Sequence, residues 1–140
     1  MAEIVATPGT GDWFMGGVVA YDRHVKFDLL GVRPGPVVTP EAAAQMAIGV
    51  RRLLRAHIGI ATTGEAGPEP EEDVPVGTVY IALADDDSVQ VHRVLLSGPP
   101  GEIRTGATEL ALVLLQRAGL HVSPPSASET LWRHSESIKT

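Results

Sequence analysis

The chain has 140 residues, a formal net charge of −6 and no cysteine. A chain of this length buries roughly two thirds of its unfolded surface in one core, which predicts a single domain. The acidic balance argues against a nucleic-acid partner, and the lack of cysteine excludes disulfides, a thiolate nucleophile and Cys-ligated metals. No apolar run reaches membrane-spanning length and the first ten residues carry no signal pattern, so we expect a cytoplasmic protein without a membrane partner.

The first segment is predicted to hold a turn, a strand and a short helix. Residues 7–12 are rich in Pro and Gly and predict a turn. Residues 13–21 (WFMGGVVAY) read as a strand from about Gly17, because they are β-branched and aromatic. Asp22 is the expected N-cap of a helix that ends at Gly31. Its buried face is predicted to consist of Val25, Leu29 and Leu30.

The clearest helix is predicted to start after Thr39, the N-cap, with Pro40 at the first helical position and Glu41 in the first turn. The three arginines beside its apolar stripe, Arg51, Arg52 and Arg55, are interpreted as a solvated face rather than an anion site. None of the five histidines shows metal-ligand spacing, so no metal site is predicted. The apolar stripe is Met46, Ala47, Val50, Leu53, Leu54 and His57, with His57 taken as a core or boundary residue.

Two buried strands are predicted on either side of an acidic loop. Residues 58–63 form the first strand, and the loop (residues 64–75, called the acidic loop below) carries five carboxylates. Residues 74–84 (VPVGTVYIALA) follow as an almost unbroken apolar run, which is typical of a strand covered on both faces. Gly77 within it indicates close approach of another backbone or a ligand. A strand covered on both faces needs helices above and below it, so we expect a layered α/β domain.

The remaining chain is predicted to form a hairpin partner, a second long helix and a tail. Residues 85–88 make the turn, and residues 89–96 alternate between apolar and polar side chains. Residues 102–118 carry a second helical stripe that ends before Gly119. Residues 1–122 are therefore taken as the domain. Residues 123–140 are taken as a Ser/Pro-rich tail, disordered unless Leu131 and Trp132 dock as a short helix.

Tyr21 and Lys26 are the candidate catalytic residues. They lie at a predicted strand-to-helix junction, where α/β sheets keep their sites. A partly desolvated lysine close to a tyrosine hydroxyl can lose its proton and act as a general base. Taken alone, these residues are better explained as an exposed Lys and a Tyr that covers the core.

Four segments carry a resemblance to a known family. They are GGVVAYDRHVKFDLLGV at residues 16–32, TTGEAGP at 62–68, PVGTVYIALA at 75–84 and SGPPGEIRTGA at 97–107. Together they resemble the C-terminal domain of the CinA competence/damage-inducible family, also described as nicotinamide-nucleotide amidohydrolases. The resemblance implies a three-layer α/β/α domain. It also implies hydrolysis of the carboxamide of nicotinamide mononucleotide by a serine that a lysine activates, with a tyrosine assisting.

The resemblance assigns roles to residues by position. Tyr21 and Lys26 match the family's tyrosine and lysine, and Thr63, Gly64, Gly67 and Arg104 match candidate substrate-binding positions. For Gly64 and Gly67 a turn that needs positive φ is an equally open interpretation. The family's serine motif, Ala-Glu-Ser-x-Thr-Gly-Gly on a preceding strand and helix, has no match in this chain. Covalent amide hydrolysis by that route needs an activated hydroxyl or thiol.

Other departures from the family lie near the expected site. The acidic loop continues with Glu69, Glu71, Glu72 and Asp73 where the family is glycine-rich, and Pro99-Pro100 replaces an Asp-Arg pair. The carboxylates are expected to repel a phosphate.

We therefore expect a CinA-type domain without its first strand and helix. This domain is predicted to be non-catalytic, with a structural or small-molecule-binding role. The alternative is an active nicotinamide-nucleotide amidohydrolase whose serine segment is absent from this chain. No cofactor is predicted. A missing strand leaves an open sheet edge, for which a second copy of the chain, the tail and the Ile4-Val5 segment are the candidate covers. The expected partners are a second copy of the chain and a nucleotide-like small molecule.

Overall fold

The computed structural model describes residues 1–120 and, for the backbone alone, residues 135–138. The helices are α1 (Ala2–Val5), a 3₁₀ turn (Thr10–Asp12), a π-helix (Val25–Leu29), α2 (Pro40–Leu53) and α3 (Pro100–Arg117). The strands are β1 (Gly59–Gly64), β2 (Thr78–Ala84), β3 (Val89–Leu95) and β4 (Ser135–Ile138). No helix in the described part of the chain is both long and apolar enough to cross a membrane.

The strands form one antiparallel sheet in the order β1-β2-β3-β4. β2 lies between β1 and β3, and Ile81 and Ala82 at its centre are fully buried. This confirms the predicted strand with two covered faces. The β2–β3 hairpin turns at Asp85, whose carboxylate accepts hydrogen bonds from the backbone N–H groups of Asp87 and Ser88 at 2.8 and 2.7 Å.

Gly77 adopts the left-handed φ of +93°, immediately before β2. A Cβ at this position would lie 1.9 Å from the carbonyl oxygen of Leu96, which follows β3. The backbone of residue 96 is therefore the neighbour that the sequence predicted for this glycine, and only a residue without a side chain fits.

Helices cover both faces of the sheet, which confirms the three-layer α/β/α architecture. One apolar cluster joins α2 to the sheet, and it includes Ala43, Ala47, Ala61, Tyr80, Ala82 and Val91. A second joins α3 to the opposite face, and it includes Val79, Ile81, Val94, Ile103, Leu110 and Leu114. The predicted stripe of α3 is therefore buried as expected.

α2 starts as predicted and ends earlier than predicted. The Thr39 hydroxyl accepts a hydrogen bond from the Ala42 N–H at 3.0 Å, and Pro40 is the first helical residue. The helix ends at Leu53 because Arg55 turns into the left-handed region at φ +53°. His57 lies beyond this stop and is exposed, so its assignment to the helix stripe was wrong.

Residues 14–21 are extended but belong to no strand, which corrects the strand predicted from Gly17. Side chains alternate along this segment: Val18 and Ala20 pack against the α2 cluster, whereas Val19 and Tyr21 point to solvent. β propensity therefore yields an extended conformation here, but no described strand lies alongside to pair with it.

The helix after Asp22 forms, but with a different face inward. Asp22 accepts a hydrogen bond from the His24 N–H at 2.8 Å, as an N-cap does. The π-helix bond from Leu30 N to Val25 O widens each turn relative to an α-helix. As a result Leu30 is buried and Leu29 is 48% exposed, which corrects the predicted burial of Leu29.

The segment predicted as a tail contributes β4 to the sheet. Its backbone pairs antiparallel with β3, with Ile138 opposite Val91 and Ser135 opposite Val94. This corrects the expectation that the segment forms a short helix or no structure, as far as residues 135–138 are concerned. Leu131, Trp132 and the predicted domain boundary at residue 122 lie outside the described residues.

Candidate functional site

Lys26 lies on the π-helix, and its amine donates a hydrogen bond to the backbone carbonyl of Tyr21 at 3.4 Å. The side chain of Tyr21 is 92% exposed. The structure therefore brings the two predicted catalytic residues together through the tyrosine carbonyl, and not through the hydroxyl that we expected beside the amine. Side chains on a helix point towards its N-terminus, so the Lys26 side chain reaches back to Tyr21.

The groups around Lys26 shift its pKa in opposite directions. Burial, and after it the guanidinium of Arg23, lower the pKa of Lys26 below its usual range, because both disfavour the ammonium form. The carboxylates of Glu72, Asp22 and Glu71 act in the other direction. A lysine in this state releases its proton more readily than a solvated lysine, as a general base requires.

Glu72 of the acidic loop connects three parts of the site. Its carboxylate accepts hydrogen bonds from Val37 N–H at 2.9 and 3.1 Å and from Val38 N–H at 2.8 Å. Arg23, which precedes the π-helix, forms an ion pair with the same carboxylate at 3.2 Å. The Glu72 side chain is only 10% exposed. From the sequence, Glu72 was interpreted as one of several loop carboxylates that repel a phosphate, and this role was missed.

Glu65 organises the acidic loop from within. Its buried carboxylate accepts hydrogen bonds from Glu71 N–H at 2.9 Å and Gly67 N–H at 3.4 Å. Its backbone N–H donates to Thr78 O at 2.8 Å, and its carbonyl accepts from Gly77 N–H at 2.7 Å. The loop is thus tied to the start of β2, and two of its carboxylates satisfy backbone donors of the protein itself.

The structure gives the predicted substrate-binding residues different surroundings. Thr63 is buried and its hydroxyl donates to Val37 O at 2.7 Å. A Cβ on Gly64 would lie 2.9 Å from Thr78 O, and Gly67 has φ +74°. These contacts support the turn and packing interpretation of both glycines. Arg104 is exposed on α3, on the sheet face opposite to the cluster that holds the π-helix.

A groove of about 290 Å³ lies between residues 33–36 and the first turns of α2. It is lined by residues such as Arg33, Glu41 and Gln45, and by none of the predicted site residues. Among the side chains of residues 1–120, no three His, Asp or Glu groups converge to hold a metal ion.

The hydroxyl groups near the site are engaged elsewhere. Thr63 donates to a backbone carbonyl and Thr39 caps α2. Within residues 1–120, no Ser or Thr hydroxyl hydrogen-bonds to the Lys26 amine, whose described partner is Tyr21 O. Among the described residues, no hydroxyl therefore hydrogen-bonds to the candidate general base.

Fold and site together define a three-layer α/β/α domain with a partly buried lysine at the start of a short helix. The CinA C-terminal domain matches residues 1–118, and the chain belongs to that family. A CinA-like protein of Frankia casuarinae is 47% identical over 125 residues, covering 84% of this chain and 29% of that relative. A CinA-like protein of Solibacter usitatus is 41% identical over 122 residues, covering 82% of this chain and 29% of that relative. The chain thus spans under a third of the length of these relatives.

Solved structures agree with this assignment. Competence damage-inducible protein A from Klebsiella pneumoniae superposes with a TM-score of 0.79 at 28% identity, covering 86% of this chain and 78% of that one. A CinA superfamily protein from Enterobacter cloacae gives a TM-score of 0.77 at 29% identity, covering 82% of this chain and 72% of that one. The family predicted from the four sequence segments is therefore confirmed.

Proposed function

We propose that this chain binds a small nucleotide-like molecule beside Lys26 and does not hydrolyse it. One observation carries the proposal: within residues 1–120, the hydrogen-bond partner of the Lys26 amine is the carbonyl of Tyr21, and no hydroxyl contacts it. The lysine-activated serine route implied by the family resemblance needs an oxygen that gives its proton to this amine.

Binding remains well supported by the chemistry of the site. Arg23 and Lys26 lie near one end of the π-helix, and the half-exposed guanidinium of Arg23 has N–H donors besides the nitrogen that pairs with Glu72. Cations of this kind recognise phosphate or carboxylate groups. The exposed ring of Tyr21 offers a surface for stacking of a heterocycle.

The alternative is a nicotinamide-nucleotide amidohydrolase, with the hydroxyl supplied by a segment outside this chain. The lowered pKa of Lys26 favours it, because a binding lysine gains nothing from losing its proton, whereas a general base does. In this alternative the same residues would perform proton transfer, and only the source of the nucleophile differs.

Ammonia release from nicotinamide mononucleotide separates the two functions. We expect the purified chain to release no more ammonia than its Lys26→Ala variant. We expect calorimetry to detect saturable binding of the mononucleotide, weakened about tenfold or more in Lys26→Ala because a charge-assisted contact is lost. Arg52→Ala removes a positive charge from the exposed side of α2 and serves as the matched control. Turnover that Lys26→Ala abolishes would establish the alternative.

We also propose that the chain forms a homo-oligomer through residues 14–21. Met15 and Val19 on this segment are 62% and 75% exposed, and exposed apolar side chains of this kind favour association. Size-exclusion chromatography with light scattering is expected to give a mass above that of one chain. Val19→Ser is expected to shift the distribution towards the monomer without unfolding the chain. A wild-type protein that stays monomeric at high concentration refutes the proposal.

A further inference from the structure

The π-helix that carries Lys26 is joined to the rest of the domain through the acidic loop. Phe27 and Leu30 pack on the α2 cluster, as do Val18 and Ala20 of the preceding segment, whereas residues 22–24 at the beginning of the helix are exposed. There the polar connection runs from Arg23 to the carboxylate of Glu72 at 3.2 Å. The same carboxylate holds the Val37 and Val38 amides at 2.8 to 3.1 Å.

These contacts differ in kind from a surface ion pair. An exposed Arg–Glu pair contributes little and does not hold a geometry. Glu72 is 10% exposed, and its two oxygens accept three close contacts from consecutive backbone amides, so the carboxylate itself is fixed. The Glu72 carboxylate that pairs with Arg23 is therefore held in place by Val37 and Val38 in the loop before α2. These two residues are 35 and 34 positions from Glu72 in sequence.

We propose that Glu72 is the positioning residue of the Lys26 site, fixing both the start of the Lys26 helix and the charge balance at the amine. The proposal rests on Lys26 being the functional group of the site, as stated under the proposed function. In this proposal the acidic loop influences the position and the protonation of Lys26, although the loop and the lysine are distant in sequence.

The charged groups that face Lys26 make the proposal testable. Arg23 and Asp22 come from its own segment, and Glu72 and Glu71 come from the acidic loop. Arg23 lowers the pKa of Lys26 and Glu72 raises it. Removing one or the other charge must therefore move the titration of the amine in opposite directions, whereas a loosened fold would move both towards the value of a solvated lysine.

The experiment is competitive acetylation of the folded 140-residue chain across pH, read by mass spectrometry. The chain contains two lysines, Lys26 and Lys139, so Lys139 provides an internal reference. We expect Glu72→Gln to lower the Lys26 midpoint by about 0.5 pH unit or more and Arg23→Gln to raise it by a similar amount. The double variant is expected to lie between the two. Glu69→Gln, on an exposed carboxylate of the same loop, is the matched control and is expected to leave the midpoint unchanged.

A second readout tests the geometry. The Val37 and Val38 amides are expected to exchange with solvent about tenfold faster or more in Glu72→Ala, because both lose their acceptor. Unchanged exchange at both amides, or midpoints that move the same way in Glu72→Gln and Arg23→Gln, would overturn the proposal. Neither measurement requires turnover or a ligand. A failure to detect ligand binding therefore leaves this test interpretable, and a failure of this test leaves the binding experiment interpretable.

Discussion

The sheet face under α2 and the segment that carries Lys26 are held in different ways. Ala43, Ala47 and Ala82 are fully buried between helix and sheet, and their contacts are apolar and continuous. The Lys26 segment (residues 14–31) places only alternate side chains on that core. The beginning of its helix, at Arg23, is instead paired with a carboxylate from the acidic loop.

This difference separates stability from function in the domain. Apolar burial is non-directional and tolerates small shifts, so it suits a scaffold. A hydrogen-bonded carboxylate fixes direction as well as distance, so it suits the placement of a reactive amine. Changes in the α2–sheet core are expected to cost folding free energy, and changes in the polar connection are expected to alter the site first.

The largest expected effect is that of Gly77→Ala on the scaffold. The new methyl group would meet Leu96 O at 1.9 Å, at a backbone φ of +93°. Since both backbone segments belong to the central hairpin, neither can move freely. We expect a loss of about 3 kcal/mol or more in the free energy of unfolding, measured by urea denaturation.

Gly101→Ala is the control for that change. A Cβ at residue 101, in the first turn of α3, meets no atom within 4 Å and requires no positive φ. Alanine is the better helix former, so this variant is expected to be neutral or stabilised by up to about 1 kcal/mol. Equal destabilisation by both substitutions would show that the contact at Leu96 is not the cause.

Thr63→Val tests the junction between the two regions. The Thr63 hydroxyl donates to Val37 O at 2.7 Å, and Val37 is also one of the residues that hold Glu72. Valine keeps the shape and β propensity but removes the donor, so we expect a loss of about 1 to 2 kcal/mol in denaturation experiments. Thr62→Val, at the exposed neighbour on β1, is expected to change stability by less than about 0.5 kcal/mol. A Thr63→Val loss no larger than that would make the buried bond irrelevant to stability.

The scaffold was predictable from the sequence because its signals are local. The Thr39–Pro40 start of α2, the apolar run of β2 and the close approach at Gly77 each follow from neighbouring residues, and the structure confirms all three. The four family segments added the layer order. Backbone conformation that depends on distant partners escaped this reasoning, as did two local features, the end of α2 at Leu53 and the π-helix.

The region around Lys26 contains features that local sequence patterns could not predict. Nothing in the local pattern pairs Glu72 with Val37, since 35 residues separate them, and an acidic loop reads as solvated. The predicted strand from Gly17 failed for a related reason: propensity predicts an extended backbone but cannot supply the neighbour that makes a strand. The π-helix, which exposes Leu29, carries no pattern that distinguishes it from an α-helix.

The smallest expected effect concerns Arg51, on the scaffold side. Its guanidinium pairs with Asp86 in the β2–β3 turn, with 16% of the Arg51 side chain and 71% of the Asp86 side chain exposed. Because Asp86 is solvated, Asp86→Asn is expected to cost less than about 1 kcal/mol in urea denaturation, and less still in high salt. Asp87→Asn, at an exposed neighbour in the same turn, is the control. A larger loss that persists in salt would mean that the partly buried guanidinium behaves as a buried charge without its partner. In that case directional polar contacts would also hold the scaffold, and the contrast with the Lys26 segment would be one of degree.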